Sequence, residues 1–175
     1  MVKILNNTNT GGCLMRILKA KLIHKAFETE PVHIATYTPG YNEKNKDVHW
    51  ILEDIFKSSQ NLMDSWSNSE IVNEDTGFKY DGSKNFTWVK SVKDNPKNKE
   101  GYHMGHRSTS CGDLVMVFTK DVSDPVQQFK TQYYFCAMIG WKEISKEQFE
   151  KICKIDDEIA LQDYFLKANL GKELV

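Results

Sequence analysis

Between Val48 and Trp66 the residues Val48, Ile51, Leu52, Ile55, Phe56, Ser59, Leu62, Met63 and Trp66 return at helical spacing, with charged and polar side chains between them. A helix with a single apolar stripe cannot stand alone in water and must be laid on another apolar surface. Covering that stripe with a sheet would contribute on the order of 1.5 to 3 kcal/mol per large side chain before the ordering entropy is charged against it. Asn45 or Asp47 can accept from the exposed amides of the first turn, and the pattern predicts an end near Ser65 to Asn68.

The surface to be covered is supplied by short runs of β-forming residues. Val32-His-Ile-Ala-Thr-Tyr37 is β-branched and aromatic and stops at Pro39-Gly40, which reads as a strand and a turn. Leu114-Val-Met-Val-Phe118, reached through Gly112-Asp113, and Gln132-Tyr-Tyr-Phe-Cys-Ala-Met-Ile139, closed by Gly140, are expected to pair as antiparallel neighbours. Their connection through Asp121, Asp124 and Pro125 is too long for a two-residue turn and predicts a protruding loop. Asp81-Gly82 marks a turn between Phe78-Lys-Tyr80 and Phe86-Thr-Trp-Val89, a short hairpin, and Lys90 to Glu100 reads as an exposed polar loop with Asn95-Pro96 inside it.

At the C-terminal end, Ser145-Lys-Glu-Gln148 has the spacing of a capping box and opens a helix carrying Phe149, Ile152 and Cys153. Asp156-Asp157-Glu158 can cap a second one, carrying Ile159, Leu161, Tyr164, Phe165 and Ala168 and ending at Gly171. The fold class expected is therefore α+β: a mainly antiparallel sheet packed by one central amphipathic helix and two C-terminal helices. Residues 1–14, with the turn-forming Asn6-Asn-Thr-Asn-Thr-Gly-Gly12, read as a flexible N-terminal extension, and residues 15–175 as a single α+β domain. Met15 stands where the text changes to Arg16-Ile-Leu-Lys-Ala-Lys-Leu-Ile23 and could serve as an alternative start.

A chain of 175 residues can close one core without disulfides or metals, and its 40% hydrophobic, 11% aromatic content is that of a folding domain. The formal net charge of -1 excludes a global attraction to nucleic acid or anionic membrane, so any such contact must come from a local patch. No apolar run is long enough to cross a bilayer and the first residues lack a secretion-signal core, which predicts a cytoplasmic protein without membrane partners. Cys13, Cys111, Cys136 and Cys153 form no C-x-x-C pair and read as reduced, mostly core thiols, with a disulfide between two of them as the alternative.

Reactive side chains concentrate in Tyr102-His-Met-Gly-His-Arg-Ser-Thr-Ser-Cys-Gly-Asp113. An extended conformation up to Ser110 would put His106, Ser108 and Ser110 on one side and Arg107 and Thr109 on the other, a polar pocket rim. The simpler reading is that the hydroxyls satisfy backbone groups where a strand starts while Arg107 pairs a carboxylate. His103 and His106 would need a third ligand that the sequence does not indicate, so neither a metal nor a cofactor is expected. Candidate binding residues are Tyr102, His103, His106, Arg107, Ser108 and Ser110, with the aromatic surface residues Trp88 and Trp141, and with Trp66 as a further contact.

The string His106-Arg-Ser-Thr-Ser-Cys-Gly-Asp-Leu-Val-Met-Val117, followed by Tyr133-Tyr-Phe-Cys136 and Gly140-Trp-Lys-Glu-Ile144, resembles small uncharacterised proteins of bacteriophages and mobile elements. Those carry an R-S-x-S-x-G-D run and then Y-x-C-x-x-x-G-W, and the match covers residues 106 to 144. The resemblance implies a viral or mobile-element origin and no established activity. It also implies that the loop between the two strands is longer here than the short turn of the family. The expected function is a non-enzymatic accessory protein, of host-takeover or anti-defence type, that binds a host macromolecule, with a host protein as the partner. One alternative is a nucleic-acid binder using Lys84, Lys90, Lys93, Lys97 and Lys99 with Phe86 and Trp88. Another is an enzyme: an ADP-ribosyltransferase-like arrangement of Arg107 and Ser108-Thr109-Ser110 with Glu147 or Glu150 as the acid, or a nuclease built on His103, His106 and Asp113.

Overall fold

The computed structural model describes residues 15–44, 46–61, 85–101, 103–123, 126 and 128–156. Strand β1, Met15–His24, alternates Lys19, Ala20, Lys21, Leu22, so from Lys19 to Leu22 the even positions offer apolar surface to one side and the odd ones present cations to the other, and an irregularity between Ile17 and Lys19 shifts the alternation so that Ile17 joins the apolar side and Arg16 the lysines. It pairs antiparallel with β2, Val32–Tyr37, on one flank and with β4, Leu114–Asp121, on the other. The three-residue β3, Phe86–Trp88, joins outside β2, while β5, Phe129–Cys136, and β6, Trp141–Ile144, extend the sheet beyond β4. All pairings are antiparallel and the order is β3-β2-β1-β4-β5-β6. Helices α1, Val48–Ser58, and α2, Lys146–Cys153, complete a sheet-dominated α+β fold.

The stripe of α1 is buried as its spacing requires. Ile51, Leu52 and Ile55 are fully inaccessible and pack with Ala20, Leu22, Ala35, Tyr37, Val115 and Val117 from one face of the sheet. Asp47 caps the helix by accepting from the Trp50 amide at 2.8 Å. The expected continuation to Ser65–Asn68 does not occur: the helix stops at Ser58, and Ser59 and Gln60 turn back on it. The Ser59 amide donates to Ile55 and Phe56 carbonyls and the Gln60 side chain donates to the Phe56 carbonyl, so the last turn is closed by its own flanking residues. Leu62, Met63 and Trp66 lie outside the described residues.

A second, smaller core lies on the opposite face, where Ile152 of α2 meets Leu114, Phe135 and Ile144, flanked by Tyr133 and Phe149. The capping box expected at Ser145 is present, with Ser145 and Gln148 satisfying one another's amides. The second C-terminal helix, the N-terminal extension and the Phe78–Tyr80 arm of the expected hairpin all lie outside the described residues.

Strands β4 and β5 pair as expected, but in a different frame. Thr119, Lys120 and Asp121 prolong β4, and Phe129, Lys130 and Thr131 start β5 ahead of its expected run, while Ala137, Met138 and Ile139 leave the ladder. The Ala137 amide donates to the Gly140 carbonyl and Gly140 sits at φ 68°, a conformation that glycine adopts without strain, so the tail of the apolar run becomes the turn into β6. Ile139 is consequently 86% exposed. Of the described cysteines, all unpaired, Cys136 is buried, Cys153 half-buried and Cys111 exposed, so the expectation of core thiols fails at Cys111, which sits on the turn before β4.

Candidate functional site

The polar cluster of residues 103–113 is an irregular segment that runs over one end of the sheet. Its anchor is Asp113, immediately before β4 and fully buried. One carboxylate oxygen accepts from the amides of Lys25 at 2.8 Å and Ala26 at 3.0 Å, the other from the amide of Ser110 at 2.8 Å. Arg107 completes the set with a two-pronged contact, Nη1 to Oδ2 at 2.7 Å and Nη2 to Oδ1 at 2.8 Å. A carboxylate can accept about four such bonds in well-formed directions, so Asp113 has no capacity left over.

Arg107 does more than neutralise it. Nη2 also donates to the Ala26 carbonyl, Nη1 to the Ser108 carbonyl, and Nε lies 3.5 Å from Glu28. The guanidinium stacks 5.6 Å from the ring of Phe27, a residue held at φ 64°, a region that side chains larger than glycine rarely occupy. The β1–β2 connection is thus shaped around the Arg107–Asp113 pair. Lys25 supports it from within, its buried ammonium donating to the Glu28 and Thr29 carbonyls.

The hydroxyls do the same for the opposite side. Thr109, 2% exposed, accepts from the Ser59 hydroxyl at 2.6 Å, and its amide donates to the Ser59 carbonyl. Ser108 accepts from the Asn61 amide, Gln60 donates to the Thr109 carbonyl, and Ser110 donates to the Ser108 carbonyl. The segment 107–110 is therefore stapled to the C-terminal end of α1, in keeping with hydroxyls that serve backbone groups where a strand starts.

His106 is 4% exposed, and both ring nitrogens are engaged, Nε2 with the Lys90 carbonyl at 2.9 Å and Nδ1 with the Asn95 amide nitrogen at 3.1 Å. That pairing defines the tautomer with the proton on Nε2. Burial holds its pKa below the usual histidine value, against the pull of the Lys90 carbonyl. Trp88 lies half-buried with its ring 5.8 Å from His106 and stacked on Phe86. His103 is exposed and contacts the Asn95 carbonyl. Trp141 belongs to the core and Tyr102 lies outside the described residues. The structure thus brings His106, Arg107, Ser108 and Ser110 into one knot, with Trp88 against His106, and leaves His103 at the surface.

His24, at the end of β1, completes the buried group. It is 1% exposed, and burial lowers its pKa to about 4, with the nearby Asp113 pulling the other way and Arg107 and His106 adding to the depression. Sequence reading missed His24, Lys25, Ser59, Asn61 and Asn95. Lys25, Ser59, Asn61 and Asn95 lie 8 to 88 residues from the groups of the cluster that they hold, and no local spacing points to them. The only hint was two polar residues, His24-Lys25, directly after an alternating strand.

Asp113 is enclosed and saturated, His106 has both nitrogens committed, and Glu147 and Glu150 stand exposed on α2. Among the described residues no group of histidine, cysteine, aspartate and glutamate is placed to hold a metal ion, and none of the helices there is long and apolar enough to cross a membrane. Comparison with protein-family models, with curated proteins and with solved structures found no match.

Proposed function

We propose that the chain is a non-enzymatic binding protein, an accessory factor of a bacteriophage or mobile element that acts on a host macromolecule in the bacterial cytoplasm. The observation that carries the reading is the state of Asp113 and Arg107. The most concentrated set of reactive groups in the sequence is consumed in joining the β1–β2 connection, the end of α1 and the start of β4. A carboxylate without spare acceptor capacity and a neutral imidazole with both nitrogens bonded are poor material for proton transfer. The R-S-x-S-x-G-D string, on this reading, is a folding device: its Arg and Asp pair, its Ser residues cap, and Gly112, at φ 104°, allows the chain to turn into β4.

The phage origin rests on the resemblance of residues 106 to 144. The test is affinity capture from a bacterial host lysate with and without nuclease, alongside incubation of the purified protein with labelled NAD. The expected result is retention of a macromolecule and no label transfer. Label transferred by the wild-type chain, or an empty capture at low salt, overturns the proposal.

A further inference from the structure

The two faces of the sheet are treated very differently. On the α1 face, Ala20, Leu22, Ala35, Tyr37, Val115 and Val117 are all fully buried. Directly paired residues of antiparallel strands share a face, so the ladder defines what the other face carries. One row across it is Arg16, Lys120, Phe129, and the next is Lys19, Phe118, Thr131. Lys21 follows, paired with Thr36 and Met116. Helix α2 covers only the far corner of this face, around Leu114, Phe135 and Ile144. The remainder is exposed or half-exposed, with Phe129 at 74%.

No aspartate or glutamate occupies a position on this face in any of the six strands. The cations are interleaved with rings: Lys19 and Lys21 lie 5.4 and 5.7 Å from the centre of Phe118, and Lys120 lies 5.9 Å from that of Phe129. His33 lies in the same field: its pKa is lowered first by burial and then by Lys21 and Lys19. Three hydroxyls, Thr36, Thr87 and Thr131, share the face.

We infer that this open face of the sheet binds single-stranded RNA, with Arg16, Lys19, Lys21 and Lys120 on phosphates and Phe118 and Phe129 as platforms for unpaired bases. Ammonium groups that rest over the rings in the free protein would move to phosphates, releasing the ring faces for stacking. A duplex hides its base faces and cannot use these rings, which selects for a single strand. The threonine hydroxyls can pair with 2′-hydroxyls, which distinguishes RNA from DNA. This deepens the proposed binding function, on which it rests, by naming the partner class and the surface. It also differs from the Lys84–Lys99 region with Phe86 and Trp88: Lys90, Lys93, Lys97 and Lys99 lie outside the strands, and Lys84 lies outside the described residues.

The test is fluorescence anisotropy with a labelled oligo-U strand, an oligo-dT strand of equal length and a duplex RNA. Wild type is expected to bind oligo-U more tightly than the other two. With four phosphate contacts, log K should fall with log salt at a slope of roughly 0.7 per contact, about 3 in all. Lys19→Glu with Lys21→Glu should weaken binding at least ten-fold and Phe129→Ala several-fold. Lys93→Glu with Lys97→Glu should leave it unchanged, and circular dichroism should show every variant folded. Oligo-dT or duplex binding as tight as oligo-U, or a site moved by the loop variant and not by the sheet variant, overturns the inference. A host protein captured after nuclease treatment, together with no oligonucleotide binding, sinks this inference while leaving the non-enzymatic binding function standing.

Discussion

Replacing Asp113 with Ala should cost more stability than any other single change at the polar cluster. The substitution removes the common acceptor of three main-chain amides, those of Lys25, Ala26 and Ser110, and leaves the Arg107 guanidinium without its carboxylate. Breaking a buried ion pair by removing one partner costs about 3 to 5 kcal/mol, and each stranded amide adds about 1 kcal/mol or more unless water enters the small void. Arg107 keeps some solvent contact, its side chain being 25% exposed, which favours the lower half of that range. With water serving the three amides the expected loss is about 3 to 4 kcal/mol, rising to about 6 to 7 kcal/mol if they stay dry, a large share of the roughly 5 to 15 kcal/mol that a domain of this size possesses. Urea unfolding followed by tryptophan fluorescence would read it as a shifted midpoint at unchanged slope. Arg107→Lys, which keeps charge but loses the two-pronged geometry, should fall between wild type and Arg107→Met. A loss below about 1.5 kcal/mol for Asp113→Ala would refute the view that this carboxylate organises the loops.

His24 gives a pH prediction with a definite sign. Its folded pKa of about 4 lies below the ordinary 6.5, so the unfolded chain binds the proton better: stability is whole above pH 6.5 and drains as pH falls toward 4, by about 3 kcal/mol at most. His24→Gln should flatten urea midpoints between pH 6.5 and 4.5, leaving the smaller contributions of His106 and His33, and an unchanged slope would contradict it. Thr109→Val should cost about 1 kcal/mol by removing the Ser59–Thr109 hydroxyl contact while the Ser59 hydroxyl keeps the Phe56 carbonyl, measured by the same unfolding assay. Phe27→Gly should be close to neutral, because relief of a φ of 64°, worth about 1 to 2 kcal/mol, offsets the lost Arg107 stacking and the added chain entropy. A thermal shift equivalent to a loss above about 2 kcal/mol would show that Phe27 packs in a way its 69% exposure conceals.

Local signals were legible wherever a local interaction decides the structure. The α1 stripe from Val48 to Phe56, the Asp47 cap and the Ser145–Gln148 box each depend on residues within a few positions of one another, and each is found where the sequence puts it. Strand frames were harder to read. Asp121 and Phe129 are in the sheet because β4 goes on pairing past its apolar run, Asp121 with Met15 of β1 and Lys120 with Phe129 of β5, whereas Met138 and Ile139 leave it for a turn that only Gly140 marks. The end of α1 was misread because Ser59 and Gln60 bond to Thr109, some fifty positions away, and no helical pattern announces such a partner. The Arg107–Asp113 pair was half legible: a carboxylate for Arg107 was expected, but its identity and its three backbone donors depend on the β1–β2 connection folding beneath it.

The charge of the chain shows why composition was a poor guide to the open face. A net charge of -1 describes the sum, whereas a sheet sorts alternate residues to opposite sides and can therefore separate charge that composition averages. In β1 the sorting is complete: Lys19 and Lys21 go one way, Ala20 and Leu22 the other. Acidic groups such as Glu53 and Asp54 ride on α1, across the core, and Glu143 pairs with Tyr134 on that same side. In physiological salt the field of an exposed charge fades over about 8 Å of water, so on the solvent side of the strands the nearest charges, the lysines, set the local potential. A polyanion approaching the strands would then meet the lysines before the carboxylates behind them, so a near-neutral chain can present a locally cationic surface.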